Sequence, residues 1–516
     1  MRPQFDVLVV GAGISGSWVA KELCEAGLSV ALIEAGPTLA PPQMSEESRA
    51  AVTGVRRASM RQAVQSLHPA YSTGAPQYFV DDLDNPYISG GPERFIWIRG
   101  RQVGGRSLTW GGVCLRFSAN ELSPGGERSP HGGWPITYAE LEPYYAYVED
   151  YMQVRGATDS VATLPGGAFR PATELSSAEQ QFKNHVESRW SGRHVLKCRG
   201  VDAASPHPCG DVRWPPTTMQ HRVLPAANAT GRLSLHSGLV VSQLLTNRSG
   251  DRVIGASCVK RHVGERVELY GRAIALCAST IETVRILLNS GCAAAPRGLG
   301  NSSGCLGHYL LEHAATVMVG RIPGRTFGEG LPTGGAEGIV VPRFRNCGEP
   351  ATDFIGGYGL WGSMGRTSWP DNGDALWALS AMLEVLPRTT NRIRVQSNVL
   401  DRWGIPVPRI DFGYSDNEVR MRADAETSIR EMVESLGWSV EERVQMLPGQ
   451  FVHELGGARM GENPINSVVN RSNQCWDTPN LFVLDGACFP TSGWQNPTLT
   501  IMALAVRACS VIVNAI

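Results

Sequence analysis

Phe5-Asp-Val-Leu-Val-Val10 is an apolar run, and the glycine-rich turn Gly11-Ala-Gly-Ile-Ser-Gly16 follows it directly. The residues after this turn carry apolar side chains at helical spacing. A second apolar run, Ser29-Val-Ala-Leu-Ile33, then ends at Glu34. This order predicts a strand, a tight turn, a helix and a second strand, which together form the first unit of a doubly wound α/β domain.

The glycines of this turn are typical of a dinucleotide site. Gly11 allows the tight turn, Gly13 lets the backbone approach a pyrophosphate, and Gly16 lets the helix pack closely on the strand. The amides at the start of the helix are available to bind phosphate oxygens. Glu34, at the end of the second strand, is placed to bind ribose hydroxyls. The alternative is an ordinary strand-to-helix turn without a ligand.

A second glycine-rich stretch, Arg99-Gly-Arg-Gln-Val-Gly-Gly-Arg-Ser-Leu-Thr-Trp-Gly-Gly112, lies well beyond this first unit. It carries many backbone amides and little side-chain bulk, so we predict that its backbone lies close against a flat ring. A flexible surface loop is the alternative. A ligand that reaches both glycine-rich segments must be long, and FAD is long enough, so the sequence favours FAD over NAD.

The C-terminal part of the chain supplies a histidine and an asparagine suited to alcohol oxidation. His453 lies in His-Glu-Leu-Gly-Gly, Asn496 lies in Gln-Asn-Pro-Thr-Leu-Thr, and the strand-like segment 480–487 lies between them. Oxidation of an alcohol removes a hydride, which flavin N5 can accept, and a proton, for which histidine is the natural base. We predict His453 as that base and Asn496 as the residue that orients the hydroxyl group. A hydrogen-bonded core histidine and a helix-capping asparagine are the alternatives.

Composition places the chain among large globular proteins, with 516 residues, 42% hydrophobic and 18% charged, and a net charge of −1. This charge gives no electrostatic reason to expect nucleic acid or an anionic membrane as a partner. We expect no membrane span, because no apolar run reaches the ~18 residues that one needs. The N-terminus is unlike a signal peptide, so we expect a cytoplasmic protein. The twelve cysteines are scattered without a Cys-x-x-Cys pair, and we expect reduced thiols and no metal site.

Four segments resemble the glucose–methanol–choline (GMC) oxidoreductases: Gly11–Glu34, Arg99–Gly112, Ala278–Gly291 and the block from His453 to Asn496. They lie in the family's order along nearly the whole chain. Within the family, the branch of pyranose oxidases and bacterial glycoside 3-oxidases is the most similar. The features that indicate this branch are Trp97–Gly105, Gly133–Tyr138 and an asparagine rather than a histidine at position 496.

The resemblance implies an α/β fold with a Rossmann-type FAD-binding domain and an α+β substrate-binding domain built on an antiparallel sheet. The FAD-binding domain would contain residues 1–50, 90–130, 196–300 and 446–516, and the substrate-binding domain residues 131–195 and 301–445. Residues 51–89 hold few periodic segments, and we assign them to a lid or an oligomerisation segment. Residues 318–350 are rich in Gly, Pro and Arg, and we predict a loop beside the substrate cleft.

The resemblance also implies which residues contact FAD. A closing helix is expected to begin at Pro497 and to aim its free amides at the flavin. The predicted cofactor residues are Gly11, Gly13, Ile14, Ser15, Gly16, Glu34, Ala35, Arg101, Gly104, Gly105, Ser107, Thr109, Trp110, Gly111, Gly112, Val241, Ala278, Asp485, Gly486, Asn496, Pro497 and Thr498.

Three positions depart from the family pattern. Thr109 stands where some pyranose oxidases carry a histidine bonded to FAD, and a threonine hydroxyl is a poor nucleophile, so we expect non-covalent FAD. Gly111 stands where those oxidases carry a threonine near the flavin, which argues against a fast reaction with oxygen. Glu282-Thr283 replaces the pair found in many members, in a helix predicted over 280–289, and we expect little consequence.

The resemblance favours a small-molecule substrate, namely a pyranose sugar or glycoside oxidised at a ring secondary hydroxyl group, C2 or C3, to a keto-sugar. The alternatives are oxidation of a sterol or aryl alcohol, and a lyase that binds FAD only structurally. The expected electron acceptor is oxygen, a quinone or a redox protein. Candidates for stacking on a pyranose face, with core positions as the alternative, are Trp361, Trp369, Trp377 and Trp403. Candidates for binding its hydroxyls are Glu384, Arg388, Asn391 and Arg392.

Overall fold

The computed structural model describes residues 3–39, 60–68, 71, 76–125, 129, 132–201, 218–326, 337–348, 352–368 and 373–516. Its strands are β1 (Phe5–Val10), β2 (Val30–Glu34), β3 (Ile88–Gly90), β4 (Arg155–Gly156), β5 (Arg170–Pro171), β6 (Leu196–Lys197), β7 (Leu233–Ser237), β8 (Leu239–Thr246), β9 (Val253–Lys260), β10 (Arg266–Leu276), β11 (Ala314–Thr326), β12 (Ile339–Val341), β13 (Tyr358–Ser368), β14 (Asp374–Leu383), β15 (Arg392–Leu400), β16 (Pro406–Asp411), β17 (Glu442–Gln445) and β18 (Leu481–Val483).

The α-helices of the same residues are α1 (Ile14–Glu25), α2 (Tyr138–Met152), α3 (Ser177–Arg189), α4 (Met219–Arg222), α5 (Leu224–Ala229), α6 (Thr280–Asn289), α7 (Asp416–Glu434) and α8 (Thr498–Ala515). Short 3₁₀ helices cover Met60–Gln62, Gln65–Leu67, Pro76–Tyr78, Gly105–Leu108 and Gly486–Cys488.

The first sheet is centred on β1, which pairs in parallel with β2 on one side and with β10 on the other. β7 and β18 extend the parallel part, and β9 and β8 continue the sheet in the antiparallel sense from β10. All of β2 and most of β1 are buried, which explains why both are continuous apolar runs in the sequence.

The predicted elements around the first glycine-rich turn are present. β1 has the predicted bounds, β2 lies one residue later than predicted, and α6 covers the predicted 280–289. α1 begins at Ile14 rather than at Ser17, because the Ser17 amide already donates to the Gly13 carbonyl within the turn. The Rossmann-type α/β fold predicted from the sequence is confirmed.

The second sheet is antiparallel throughout, in the order β17-β11-β14-β13-β12-β6. α7 packs on β11 and β14, and α3 packs on β13. The prediction of a loop over 318–350 is wrong for residues 318–326 and 339–341, which are strand. Met318 and Ile322 face the core, and a Cβ on Gly320 would lie 1.8 Å from Ser439 O, so this glycine allows close strand packing. Residues 327–336 lie outside the described residues.

A third sheet, β15-β16-β3, joins residues near position 90 to residues 392–411. The predicted division of the chain into two domains, with residues 51–89 as a lid or oligomerisation segment, stays a prediction.

The closing helix α8 is 18 residues long with a mean hydropathy of 1.7, so by length and composition it could cross a membrane. The expectation that no apolar run is long enough is therefore wrong. About half of the helix, 56%, is buried inside the fold, where it packs against α1 and α2, as the core helix of a globular protein does.

Candidate active site

A cavity of about 610 Å³ lies where the C-terminal ends of β1 and β2 meet the second glycine-rich stretch. Its wall includes the turn after β1, the Arg99–Gly112 segment, the loop after β10 and the start of α8. Sites at the carboxyl ends of parallel strands are typical of dinucleotide-binding folds. The cavity therefore joins the two glycine-rich segments to the C-terminal block that carries His453 and Asn496.

The two glycine-rich segments touch each other beside this cavity. Gly11 has a φ of +101°, and a Cβ there would lie 2.4 Å from Cys277 O, so only glycine fits. The Gly104 amide donates to Ala12 O at 2.8 Å. Because the segments are in contact, one elongated ligand can lie against both.

Glu34 organises the nucleotide end of the cavity. Its two carboxylate oxygens accept the Ala12 amide at 2.9 Å and the Gly36 amide at 2.8 Å. Burial raises the pKa of Glu34, and these two amides act in the opposite direction. A carboxylate oxygen has a second lone pair, so Glu34 can hold the turn and still accept a ribose hydroxyl.

A charged cluster lies beside Glu34, and the sequence did not predict it. Glu282 forms ion pairs with Arg101 and, at 3.3 Å, with Arg285, and Arg285 also pairs with Asp401 at 2.7 Å. Burial alone would raise the pKa of Glu282, but Arg285, Arg101 and Arg99 lower it to about 2. The expectation that Glu282 has little consequence does not fit its place in the cavity wall between two arginines.

At the other end of the cavity His453 and Asn496 face each other. The Nε2 atom of His453 lies 3.4 Å from the Nδ2 atom of Asn496, and both residues line the cavity. On the far side of the ring, His453 Nδ1 lies 2.8 Å from His313 Nδ1, and His313 Nε2 lies 3.0 Å from Gly493 O. The structure thus brings together the histidine and the asparagine that the sequence paired, and it adds His313, which the sequence did not pair with them.

Both histidines are electrically neutral near neutral pH. Burial, with a smaller effect of His313 and Arg106, lowers the pKa of His453 well below its ordinary 6.5. Burial likewise lowers the pKa of His313 to about 4. A neutral His453 has the lone pair that a base needs.

Most of the predicted cofactor residues lie in the cavity wall. Gly16, Gly104 and Ser107 instead lie behind it, where they shape the two glycine-rich segments. Ser107 Oγ donates to Gly104 O at 2.6 Å and accepts the Met219 amide at 3.1 Å. The predicted residues in the wall are Gly11, Gly13, Ile14, Ser15, Glu34, Ala35, Arg101, Gly105, Thr109, Trp110, Gly111, Gly112, Val241, Ala278, Asp485, Gly486, Asn496, Pro497 and Thr498.

The helix α8 begins at the cavity, since Pro497 is its N-cap and Thr498 its first residue, and both line the wall. Its free amides therefore lie beside the expected flavin site, where negative charge develops on reduction. Asp485, also in the wall, accepts the Thr283 hydroxyl at 2.5 Å, and burial raises its pKa to about 6.

Wall residues outside the predicted set come from segments without a clear pattern or from neighbours of predicted residues. His68 and Phe79 belong to the irregular segment before Arg99. Arg106 donates to Val452 O and to Glu454, both at 2.6 Å. Arg106 lies inside the second glycine-rich stretch, and Glu454 directly follows His453. Their position next to predicted residues was therefore the sequence signal that could have identified them as wall residues.

Of the predicted substrate tryptophans that the structure describes, only Trp361 lies in the cavity wall. Trp361 lines it together with Phe451, whose ring lies 5.0 Å from that of His453. Trp377 is fully buried and donates to Ser439 O, and Trp403 packs at the Ala35 end near Arg101. Trp369 lies outside the described residues.

The four predicted hydroxyl-binding residues are not in the wall and have structural partners instead. Arg388 and Asn391 donate to Gly413 O, Arg392 pairs with Asp411, and Glu384 lies 3.7 Å from Arg343. Among the described residues, no group of three or more acidic, histidine or cysteine side chains is placed to hold a metal ion.

The residues present fit FAD. Six buried polar atoms of wall residues have no hydrogen-bond partner among the described residues: Arg99 Nε, Arg101 Nη1, Trp110 Nε1, Trp361 Nε1, Glu454 Oε1 and Asn496 Oδ1. Buried polar atoms in native proteins are normally paired, so these atoms indicate a polar ligand. They extend from the Glu34 end to the His453 end, as a dinucleotide with a flavin ring would.

Comparison with known proteins gives matches over most of the chain. Family models described as GMC oxidoreductase match residues 5–315 and 387–505. The chain is 28% identical to 2-methyl-1,2-propanediol dehydrogenase of Mycolicibacterium austroafricanum, over 98% of this chain and 94% of that protein. It is 24% identical to C-glycoside 3-oxidase of Arthrobacter globiformis, over 97% and 93%. The fold is similar to that of a formate oxidase variant from Aspergillus oryzae, with a TM-score of 0.67, 15% identity and coverage of 99% and 98%.

Proposed function

The chain belongs to the GMC oxidoreductase family, and we propose that it oxidises a ring secondary hydroxyl group of a pyranose sugar or glycoside, at C2 or C3, to the ketone. It is an FAD-dependent alcohol or sugar oxidoreductase that acts on a small molecule. FAD, when bound, supplies the acceptor for the hydride that leaves the carbinol carbon.

The pairing of His453 Nε2 with Asn496 at 3.4 Å is the observation that carries this proposal. An alcohol hydroxyl between these two side chains gives its proton to His453 Nε2 and accepts a hydrogen bond from the Asn496 amide. The amide stays neutral, so it orients the hydroxyl without competing for the proton. Loss of that proton raises the electron density on the alcohol oxygen and assists departure of the hydride.

A sugar is favoured by the aromatic side chains near this pair. Trp361 and Phe451 offer flat apolar faces in the wall that carries His453, and both pack on the hydrophobic cluster around Val113 and Leu115. The apolar faces of pyranose rings pack well on aromatic side chains. The name of the relative from Arthrobacter globiformis, a C-glycoside 3-oxidase, supports the same substrate class.

A second candidate is oxidation of a small aliphatic diol. The relative with 28% identity is a 2-methyl-1,2-propanediol dehydrogenase, and the two chains match over nearly their whole lengths. The same histidine and asparagine would serve that reaction. The pyranose proposal requires the aromatic wall for substrate binding, and the diol proposal does not.

We further propose that FAD is bound without a covalent bond, since Thr109 stands at the expected attachment position. The acceptor of the electrons is oxygen, a quinone or a redox protein, and Gly111 argues against a fast reaction with oxygen. A Cβ on Gly111 would meet no atom within 4 Å, so this residue borders open space. We also propose a cytoplasmic location and no membrane span, because α8, the one described helix that is long and apolar enough to cross a membrane, packs against α1 and α2.

An anaerobic screen separates these candidates. The purified protein is mixed under argon with monosaccharides, O- and C-glycosides, aliphatic diols, aryl alcohols and sterols, and bleaching of the flavin is recorded. Products are mapped by NMR. Bleaching by sugars or glycosides with a ring ketone as product supports the proposal. Bleaching by diols, aryl alcohols or sterols alone would replace it, and a flavin that no alcohol bleaches would favour the lyase.

A further inference from the structure

The ring of His313 makes hydrogen bonds at both nitrogens although it does not line the cavity. Its Nε2 atom lies 3.0 Å from Gly493 O, and its Nδ1 atom lies 2.8 Å from His453 Nδ1. It is 1% exposed. His313 is not among the described residues of the cavity wall, so we expect it to affect a substrate through His453 and not by direct contact.

The direction of these hydrogen bonds follows from the carbonyl group at one end. Gly493 O can only accept, so the proton of a neutral His313 is on Nε2, and its Nδ1 atom carries a lone pair. That lone pair must accept the proton on His453 Nδ1. A neutral His453 has only one ring proton, so its Nε2 atom carries a lone pair towards the cavity and Asn496. The partner of one ring nitrogen thus decides the state of the other.

We propose that His313 is a positioning residue that holds His453 in the tautomer protonated at Nδ1, so that the Nε2 lone pair faces the substrate hydroxyl. This inference rests on the proposed function for its catalytic meaning. In the other tautomer of His453 a proton would occupy Nε2, and in a flipped ring a carbon atom would take the place of Nε2, so in both cases the base would be absent from the cavity.

The proton balance of the step is consistent with this role. The alcohol O–H bond breaks, its proton goes to His453 Nε2, and the hydride leaves the same carbinol group for the flavin. His453 is then an imidazolium that still donates its Nδ1 proton to His313. The Nδ1–H group thus keeps its acceptor on His313, and the Nε2–H group donates to the oxygen of the product ketone until the ketone leaves.

The described charged groups near the two imidazole rings bond to backbone amides or to each other, and not to the ring nitrogens. Glu312 accepts the backbone amide of His453 at 3.2 Å and that of His313, and Arg106 forms an ion pair with Glu454. Further groups near the rings are Phe451 beside both, Glu384 on the His313 side, and Tyr414, whose hydroxyl lies 3.4 Å from His313 O. Among the described residues no carboxylate oxygen bonds to either ring, so a neutral imidazole takes the place that an acid often has beside a base.

Two variants test the role. His313→Phe keeps a flat ring of similar size and removes the acceptor, and His313→Asn restores a side-chain acceptor near the Nδ1 position. Under argon, we expect His313→Phe to lower the limiting rate constant of flavin reduction by about 100-fold, within the range for loss of general-base help. The substrate concentration at half saturation should change by less than about threefold, because His313 does not touch substrate. His313→Asn should recover about tenfold or more of the rate. His185→Phe, at a histidine that bonds Ser435, is the matched control and should leave both values unchanged.

A spectroscopic test needs no turnover and no variant at position 313. In ¹⁵N-histidine-labelled holoenzyme, the signals lost in His453→Gln identify His453. We expect a protonated Nδ1 and an unprotonated Nε2 above pH 7. A protonated Nε2 in the neutral ring would overturn the proposal, and so would a His313→Phe enzyme with FAD bound and an unchanged rate. If no alcohol reduces the flavin, the proposed function fails, and the tautomer measurement still decides the role of His313.

Discussion

A Cβ atom on Gly105 would lie 2.9 Å from the Cα atom of Gly13, so the two glycine-rich segments touch at these two residues. Their sequence positions are far apart, and both line the same cavity. Because of this contact, the turn after β1 and the Arg99–Gly112 segment form one continuous part of the cavity wall. The contact explains why both segments are rich in glycine, since any side chain at the contact would separate them.

Gly105→Ala should therefore weaken FAD binding by about tenfold or more. The φ of Gly105 is +53°, which costs a residue with a Cβ about 1–2 kcal/mol, and the new methyl group would push Gly13 away. The dissociation constant of FAD from the apoprotein, followed by flavin fluorescence, measures this. Gly192→Ala is the control, because a Cβ at Gly192 meets no atom within 4 Å. Equal affinities for the two variants would show that the contact does not shape the cofactor site.

Glu34→Ala should also lower FAD affinity, by roughly 1.5–3 kcal/mol, because the ribose loses a charged hydrogen-bond partner. The buried amides of Ala12 and Gly36 lose their acceptor as well. Glu34→Gln keeps one carbonyl oxygen and should lose less. FAD occupancy of the purified proteins, read from absorbance, measures the effect. Full occupancy in Glu34→Ala would mean that Glu34 does not bind the ribose.

Acid precipitation should release all of the FAD into the supernatant. Thr109 lies in the cavity wall, and a threonine hydroxyl is a poor nucleophile for bonding to the flavin. Yellow colour in the washed pellet would contradict non-covalent binding. In that case His68, a histidine of the cavity wall whose pKa burial lowers to about 4, would be tested as the attachment site with His68→Ala.

The rate constant of flavin reduction should be constant from about pH 6.5 to about pH 9 and fall only on acidification. The pKa of His453 is lowered well below 6.5 by burial, so its neutral, basic form persists through this range. Below the lowered pKa the ring is protonated, and the rate should fall about tenfold per pH unit. Stopped-flow reduction under argon at saturating substrate records the profile. A rate that rises steeply between pH 7 and 9 would indicate a base other than a buried histidine.

Acid should also destabilise the fold over a defined range. His313 has a pKa of about 4 in the folded protein and an ordinary value of 6.5 when unfolded, so the unfolded chain binds more protons between these values. The loss of folding stability that His313 causes is absent above pH 6.5, grows as the pH falls, and is complete near pH 4. His313→Asn should lose less stability than the native protein over this range. Thermal unfolding at several pH values measures the difference, and equal losses would contradict a buried neutral His313.

The local parts of this fold could be predicted from sequence because they depend on neighbouring residues. The apolar run at 5–10, the glycine turn and Glu34 specify a strand, a turn and an acid within one short segment. The helix at 280–289 and the placement of His453 near Asn496 also follow from short motifs, which occur along the chain in the same order as in the family. Most of the cofactor residues that these motifs predicted lie in the cavity wall.

The remaining features depend on contacts between distant residues. His313 lies 140 residues before His453, directly before β11, and no local sequence pattern links the two histidines. Glu282 pairs with Arg285 on its own helix, and its importance became visible only because Arg101 reaches it from the distant second glycine-rich stretch. Residues 318–326 of β11 were predicted as part of a loop because the segment 318–350 is rich in Gly, Pro and Arg, whereas Gly320 in fact allows close packing against Ser439.

The role of His453 as the base is tested most directly by the rate of flavin reduction in His453→Ala, measured by stopped flow under argon with a substrate from the screen. We predict a rate constant lower by about 10²–10⁴-fold while FAD remains bound, because general-base help is lost. Asn496→Ala should lower it less, since water can replace one hydrogen bond, and His185→Ala should not change it. A His453→Ala protein that keeps FAD and reduces it at a near-native rate would contradict the assignment of His453 as the base.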